Sequence, residues 1–271
     1  MKKASIQILL IFLAISTTVL SQTRKRNYRQ NELGIMVGGS YYIGDLNPRK
    51  QFFLSQPAGG LFYRFAPNYR YAFRFGINAG TIIGDDSKSK QSDQQQRNLN
   101  FKSQIIEYNA LAEFNFLEYR LGTENYYFTT FLFLGLDVFT FNPQTRLNNT
   151  WVDLQPLKTE GQSKSYALTQ VAVPFGIGLK LNLLEQVGLG LEWGPRKTYT
   201  DYLDDVSGTY PNPEKNPFHS DIAAKLSDRS KNAGSNINEQ RGNPRTKDWY
   251  IFFGASLNFK FNVKAPPCYT H

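Results

Sequence analysis

The sequence is short of the side chains that most often carry catalysis or cross-links. It has one cysteine, Cys268, and two histidines, His219 and His271, among 271 residues. One cysteine cannot form an internal disulfide, and thiolate zinc sites need several cysteines. The adjacent residues His219, Ser220 and Asp221 do not suit a catalytic triad, whose members converge from separate segments. We therefore expect no enzyme, no metal site and no cofactor.

Long apolar runs are also scarce, and the clearest one lies at the N-terminus. Lys2 and Lys3 precede the apolar stretch Ile8–Leu20, which is the layout of a secretory signal peptide. The stretch is shorter than the roughly 20 residues that a helix needs to cross a bilayer. We expect a signal peptide at residues 1–21 and an exported mature chain at residues 22–271, with a transmembrane anchor as the alternative.

The chain is basic and rich in aromatic residues. Its formal net charge is +9, and it contains 21 Phe and 16 Tyr but only 3 Trp and 2 Met. An exported protein rarely meets nucleic acid, so we expect its anionic partners to be lipopolysaccharide phosphates or an acidic protein. Abundant aromatic residues suit a membrane barrel, in which they form girdles at both bilayer interfaces.

Apolar residues recur at every second position, which is the period of a β-strand. In Thr169–Leu181, Val171 and Ile177 lie on one face and Lys180 on the other, and Gln186–Arg196 has the same pattern. A soluble sandwich would pack the apolar face on a second sheet, whereas a membrane barrel turns it to lipid. Six further segments alternate in this way: Leu33–Ile43, Ala58–Phe65, Tyr71–Ile83, Phe101–Phe116, Tyr126–Phe141 and Trp249–Phe261.

The links between these eight segments alternate between short and long. The short links are 66–70, 118–124 and 183–185. The long links are 45–57, 85–100, 142–164 and 200–247. This alternation predicts an all-β fold, an eight-stranded antiparallel up-and-down transmembrane β-barrel of the outer-membrane type. Its short turns and both termini would lie in the periplasm, and its long loops outside the cell.

The long links are polar, and we interpret them as flexible or solvated. Residues 85–98 are rich in Ser, Gln, Lys and Asp and suggest a mobile loop. Asp201, Asp204 and Asp205 follow the seventh strand. Clustered carboxylates can bind calcium, but the spacing matches no complete calcium loop. We therefore expect these three side chains to be exposed to solvent.

The strand faces opposite the apolar ones carry charges of both signs. They are Arg74, Glu107, Glu113, Asp137, Lys180, Glu192, Arg196 and Lys260. An eight-stranded barrel has a lumen just wide enough to be filled by side chains. We therefore expect these residues to pair with one another and plug the lumen. Acid–base catalysis by paired carboxylates and a narrow conducting pore are the alternatives.

Several stretches of the mature chain carry a family resemblance. The most specific is Trp193-Gly194-Pro195-Arg196 followed by Thr200–Ser207, which has the sequence TDYLDDVS. The others are Glu32–Gly34, Tyr41–Asn47, Asn100–Tyr119, Phe141–Pro143, Pro174–Gly178 and Arg241–Pro244. Together they resemble the PorG-like family of outer-membrane proteins from the type IX secretion system, over essentially the whole mature chain.

The resemblance implies a non-catalytic role as an outer-membrane partner of a periplasmic lipoprotein ring. That ring serves the export of cargo proteins and, in some bacteria, gliding motility. The alternatives are a free-standing OmpX-like barrel acting in adhesion or envelope integrity, and a lipid-modifying barrel enzyme.

Docking on such a ring would use the short turns and the two tails. The candidate partner-binding residues are Arg24, Lys25, Arg26, Arg29, Lys264 and Cys268. The basic residues would steer an acidic partner at long range. Cys268 would be unpaired in an oxidising compartment and able to bridge to a partner thiol. An unstructured leader and a frayed end are the alternative interpretation of the tails.

Overall fold

The computed structural model describes residues 29–261, which form nine β-strands with short helical segments between them. The strands are β1 (Gln30–Ile43), β2 (Gln56–Ala66), β3 (Tyr71–Asp85), β4 (Asn100–Asn115), β5 (Phe128–Leu147), β6 (Thr150–Asp153), β7 (Thr169–Asn182), β8 (Val187–Thr198) and β9 (Trp249–Phe261). The helices are α1 (Ser92–Arg97) and α2 (Asp221–Ser227), with 3₁₀ turns at Asp86–Lys88 and Gln155–Leu157. The predicted signal peptide lies outside the described residues.

Eight strands close into an antiparallel barrel. The eight strands pair in chain order, with β5 followed by β7. The barrel is closed by the pairing of β1 with β9, from Asn31↔Phe261 to Ile43↔Trp249. The predicted eight-stranded fold is thus confirmed. The remaining strand, β6, pairs with the end of β5 from Gln144↔Asp153 to Leu147↔Thr150. This hairpin lies in a link that we expected to be an irregular loop.

The outer wall of the barrel is apolar and the inner wall is polar. In β1, Leu33, Ile35 and Val37 are at least half exposed, whereas Gly34 and Met36 between them are buried. A closed barrel satisfies all of its strand hydrogen bonds internally, and its apolar exterior matches lipid. The protein is therefore a β-barrel of the outer-membrane type. Among the described residues, no helix is long and apolar enough to cross a membrane.

Near the long-loop end, some outward positions are covered by protein and not by lipid. Tyr41 lies on the same face of β1 as Leu33, Ile35 and Val37, but it is fully buried. The first long loop covers it: the Phe52 ring lies 5.1 Å from the Tyr41 ring, and the Tyr41 hydroxyl donates to Gln51 Oε1 at 2.5 Å. Trp193 Nε1 donates to the same hydroxyl at 2.9 Å. The first loop therefore folds over the outer wall near the rim.

The long loops form a folded cap over one end of the barrel. The segment that we interpreted as a mobile loop contains α1, and Arg97 at the end of this helix forms an ion pair with Asp86, with 2.8 Å between Nε and Oδ2. Ser220 Oγ accepts a hydrogen bond from Ala223 N at 3.1 Å and caps α2. The buried apolar residues under the cap include Tyr42, Leu46, Leu99, Phe101, Leu154, Leu203, Val206 and Leu226.

We expect a charge on the outer wall to prevent stable assembly. Ile177 lies in the middle of β7 and is 57% exposed, and an Arg at the bilayer midplane costs about 2–4 kcal/mol. Ile177→Arg should fold poorly into lipid vesicles, whereas the matched control Ile177→Ala should fold normally. Heat-modifiable migration on gels measures the folded fraction. Equal folding of the two variants would contradict the assignment of faces.

Candidate functional site

The lumen near the short turns is organised around one carboxylate. Glu113 Oε2 lies 2.6 Å from Lys180 Nζ and 2.9 Å from Arg64 Nε, and Glu113 Oε1 lies 3.2 Å from Arg74 Nε. Arg64 and Arg74 occupy directly opposite positions on β2 and β3. Like charges in that arrangement repel. Glu113 on β4 therefore compensates a repulsion that the strand register imposes.

Two further carboxylates extend this network. Glu32 Oε2 lies 2.6 Å from Arg64 NH1, and Glu192 Oε2 lies 2.5 Å from Arg74 NH1. The Phe62 ring packs under both guanidinium groups, at 4.9 Å from Arg64 Cζ and 5.0 Å from Arg74 Cζ. Side chains from β1, β2, β3, β4, β7 and β8 thus meet in the centre of the barrel and fill it.

A second cluster lies closer to the cap. Arg196 binds Glu107 through two contacts, NH2 to Oε1 at 2.7 Å and Nε to Oε2 at 3.0 Å. Asn78 Nδ2 and the Tyr250 hydroxyl also donate to Glu107, at 2.7 and 3.0 Å. Asp137 contacts the Tyr250 hydroxyl at 3.2 Å rather than a cation. Asn109 Nδ2 donates to Glu107 as well, at 3.2 Å, so five donated hydrogen bonds compensate this carboxylate for the loss of water.

The structure places all eight predicted interior charges on the inner wall, although Glu192 and Lys260 are only partly buried. Lys260 Nζ donates to the carbonyl of Leu121 at 2.9 Å. Our prediction missed Glu32 and Arg64, which are buried with them. Both residues occupy positions that alternate with the outward apolar residues of their strands, and this alternation could have identified them from the sequence. With these two, the named charges are balanced, with five acidic and five basic residues.

The short turn after β4 folds back into the barrel. Tyr119 and Leu121 in this turn are buried, and the Asn182 side chain donates to the Arg120 carbonyl at 2.8 Å. A Cβ at Gly188 would lie 3.0 Å from both Leu121 Cδ1 and the Tyr119 hydroxyl oxygen, so the turn packs closely against the wall at this glycine. The lumen is therefore closed at its short-turn end.

The cap buries Asp204, one of the three carboxylates that we expected to be solvated, together with Asp248. Asp204 and Asp248 are buried on either side of the Tyr42 hydroxyl, which contacts Asp248 Oδ1 at 3.2 Å and is closer still to Asp204. The Val206 and Leu203 amides donate to Asp204 and Asp248, each at 2.9 Å. The acidic run is therefore a structural element of the cap.

The other two aspartates of that run are buried as well. Asp205 accepts from Thr159 Oγ1 at 2.5 Å and from the Tyr166 hydroxyl at 2.7 Å, and Asp201 accepts from Ser207 Oγ at 2.6 Å. The expectation of solvent exposure is wrong because residues of the third loop cover Asp205 and the fourth loop folds Ser207 onto Asp201. Within residues 29–261, no group of three or more His, Cys, Asp or Glu side chains could hold a metal ion.

Two arginines join the four long loops. Arg97 of the second loop donates to Asp86, to the Asp45 carbonyl of the first loop at 2.9 Å and to the Arg241 carbonyl of the fourth loop at 2.6 Å. Arg241 NH1 donates to Glu160 Oε1 of the third loop at 3.0 Å. These contacts make the cap one connected unit.

Burial raises the pKa of several cap carboxyls. The pKa of Asp45 and of Asp205 rises to about 6, and the pKa of Asp204 and of Asp248 rises well above the usual value. Repulsion from neighbouring carboxylates raises the pKa of Asp204 and of Asp248 further. The folded cap therefore binds more protons than the unfolded chain, so its stability is greatest at acid pH and falls as the pH rises through these pKa values.

The predicted tail contacts fall mostly outside the described residues. This applies to Arg24, Lys25, Arg26, Lys264 and Cys268. Arg29 is described and is exposed immediately before β1, at the short-turn end.

We expect Arg196→Met to destabilise the barrel by about 3–5 kcal/mol, because Glu107 would stay buried without its cation. The double variant Glu107→Gln with Arg196→Met should recover most of that loss. Urea unfolding in detergent micelles measures the free energy of unfolding of both variants. Lys197→Met, an exposed neighbour, is the control, and an equal loss in this control would contradict the role assigned to the pair.

We also expect the cap to open more readily at about pH 8 than at about pH 5. Hydrogen exchange of residues 199–248, corrected for the intrinsic pH dependence of exchange, measures the opening. Asp205→Asn should flatten the pH dependence, because burial raises the pKa of Asp205 to about 6 and the substitution removes that titrating carboxyl. Asp153→Asn, outside the carboxyl cluster, should leave it unchanged. A cap that opens equally at both pH values would refute this prediction.

Comparison with known proteins gives one family and several distant structures. Ail, the attachment invasion locus protein of Yersinia pestis, is 9% identical with a TM-score of 0.41 over 86% of this chain and 99% of its own. The outer membrane protein OprG from Pseudomonas aeruginosa is 11% identical, with a TM-score of 0.40 over 87% of this chain and 95% of OprG. No curated protein matches the sequence. Residues 7–271 match DUF6089, a domain of unknown function, and the chain belongs to that family.

Proposed function

We propose that this protein is a non-catalytic outer-membrane component of the type IX protein secretion machinery that docks a periplasmic lipoprotein ring to the membrane. The observation that carries the proposal is the filled lumen, closed by Tyr119 and Leu121 at one end. A filled barrel offers its surfaces to partners rather than a conduit to solutes. The resemblance of Trp193–Arg196 and Thr200–Ser207 to PorG-like proteins supports the choice of machinery.

In the proposed orientation, the short turns and both chain ends face the periplasm. The first and last strands leave the barrel side by side, with Asn31 opposite Phe261. Leu183 and Leu184 are 52% and 67% exposed at the tip of the last short turn. Exposed apolar side chains at the end of the barrel to which the two basic tails are connected suit an acidic partner with an apolar contact surface.

The alternative function is a free-standing OmpX-like barrel that acts in adhesion or envelope integrity. The ordered cap favours it, because a binding surface at the long-loop end would need such rigidity. In either case the surrounding partners are outer-membrane lipids and lipopolysaccharide, with no role for nucleic acid.

The test is recovery of lipoproteins with an affinity-tagged barrel from detergent-solubilised membranes, identified by mass spectrometry. We expect the unmodified protein to recover periplasmic ring lipoproteins. Neutralising Arg24, Lys25, Arg26 and Arg29, or deleting residues 262–271, should reduce recovery while heat-modifiable folding stays normal. The loss follows from the weaker long-range attraction of a basic tail to an acidic partner.

The matched control neutralises four exposed cations at the opposite end of the barrel: Lys88, Lys90, Lys215 and Arg245. This control should recover the ring normally. Normal recovery in both tail variants would reject the tails as the docking surface. Absence of lipoproteins from the unmodified sample would reject the secretion role itself.

A further inference from the structure

A cavity of about 1050 Å³ opens at the surface of the cap. It lies between α1 on one side and residues 230–243 of the fourth long loop on the other, with Arg97, Tyr210 and Arg241 among its lining residues. Its volume is at the upper end of the range for small-molecule sites, about 300–1,000 Å³. The cavity is thus large enough for an extended ligand.

The walls of this groove are fixed by contacts within the protein. Arg97 is held by Asp86 and by the Arg241 carbonyl at 2.6 Å. On the opposite wall, the Asp228 carboxylate accepts hydrogen bonds from the amides of Ser230 and Gly234, each at 3.0 Å. A groove whose walls are already ordered loses little conformational entropy when a ligand binds.

The rim of the groove presents side-chain amides that no protein group uses. Gln96 and Asn232 lie on opposite walls, are exposed, and form no side-chain hydrogen bond with the described part of the chain. Each amide offers both donors and an acceptor, as a sugar hydroxyl does. Tyr210, which is buried, also lines the groove.

The charges around the groove balance. The acidic lining residues are Asp45, Asp93 and Glu239, and the basic ones are Arg97, Lys231 and Arg241. A site for a polyanion would carry an excess of cations. A mostly polar groove with no net charge instead suits a ligand that is rich in hydroxyl groups and uncharged.

We propose that this groove binds an uncharged oligosaccharide, with Gln96 and Asn232 hydrogen-bonding to its hydroxyl groups from opposite walls. The site is at the long-loop end of the barrel and is independent of the proposed docking at the short-turn end. A positive or negative result for oligosaccharide binding therefore does not affect the proposed secretion role.

The experiment uses the full mature barrel in detergent micelles and calorimetric titration. The probes are linear uncharged hexasaccharides of glucose, xylose, mannose and N-acetylglucosamine, with a heparin-derived hexasaccharide as the charged comparison. The test variants are Gln96→Ala with Asn232→Ala, and Ser235→Trp, which places a bulky ring in the groove. Gln186→Ala, an exposed amide at the opposite end of the barrel, is the matched control.

We expect at least one uncharged probe to bind, and its affinity to fall about tenfold or more in both test variants, which equals about 1.4 kcal/mol. The control should bind as the unmodified protein does, and added salt should have little effect. The proposal is overturned if no uncharged probe binds, if both test variants bind normally, or if only the heparin fragment binds and salt abolishes that binding. Heat-modifiable migration checks that each variant is folded.

Discussion

Closure of the barrel by the pairing of β1 with β9 is the constraint on which the rest of the structure depends. Without it, two strand edges would carry unpaired backbone groups in lipid, where no water can bind them. Closure at eight strands fixes a narrow lumen, and strand parity then decides which side chains enter it. Arg64 and Arg74 face each other across β2 and β3 for this reason. The buried carboxylate of Glu113 makes that pairing tolerable.

Strand positions could be predicted from the sequence because alternation directly reflects the two environments of a barrel wall. Leu33–Ile43 was predicted where β1 spans Gln30–Ile43, and Trp249–Phe261 matches β9 at both ends. Residues at strand ends were harder, and Glu32 was missed there. The cap was predicted poorly because its contacts join distant segments. Nothing local to Asp204 indicates that Tyr42 will cover it.

The cap also shows why acidic residues need not be solvated. Four loops bring hydroxyls, amides and two arginines to carboxylates that would otherwise remain in water. Close packing leaves no room at Gly44, where a Cβ would lie 2.0 Å from Asp248 Oδ1. Several stretches that carry the family resemblance, including Tyr41–Asn47, Thr200–Ser207 and Arg241–Pro244, meet in this region. The distinctive part of the sequence therefore encodes the cap more than the barrel.

The two ends of the molecule are consequently built for different contacts. At the short-turn end, the inward-folded turn with Tyr119 and Leu121 closes the lumen, and apolar tips project beyond the strands. At the long-loop end, a rigid polar groove opens to the surroundings. Between the two ends, the buried charges of the lumen pair with one another and connect the strands of the wall. Because charged side chains from six strands occupy the lumen between them, the two ends of the barrel present separate surfaces.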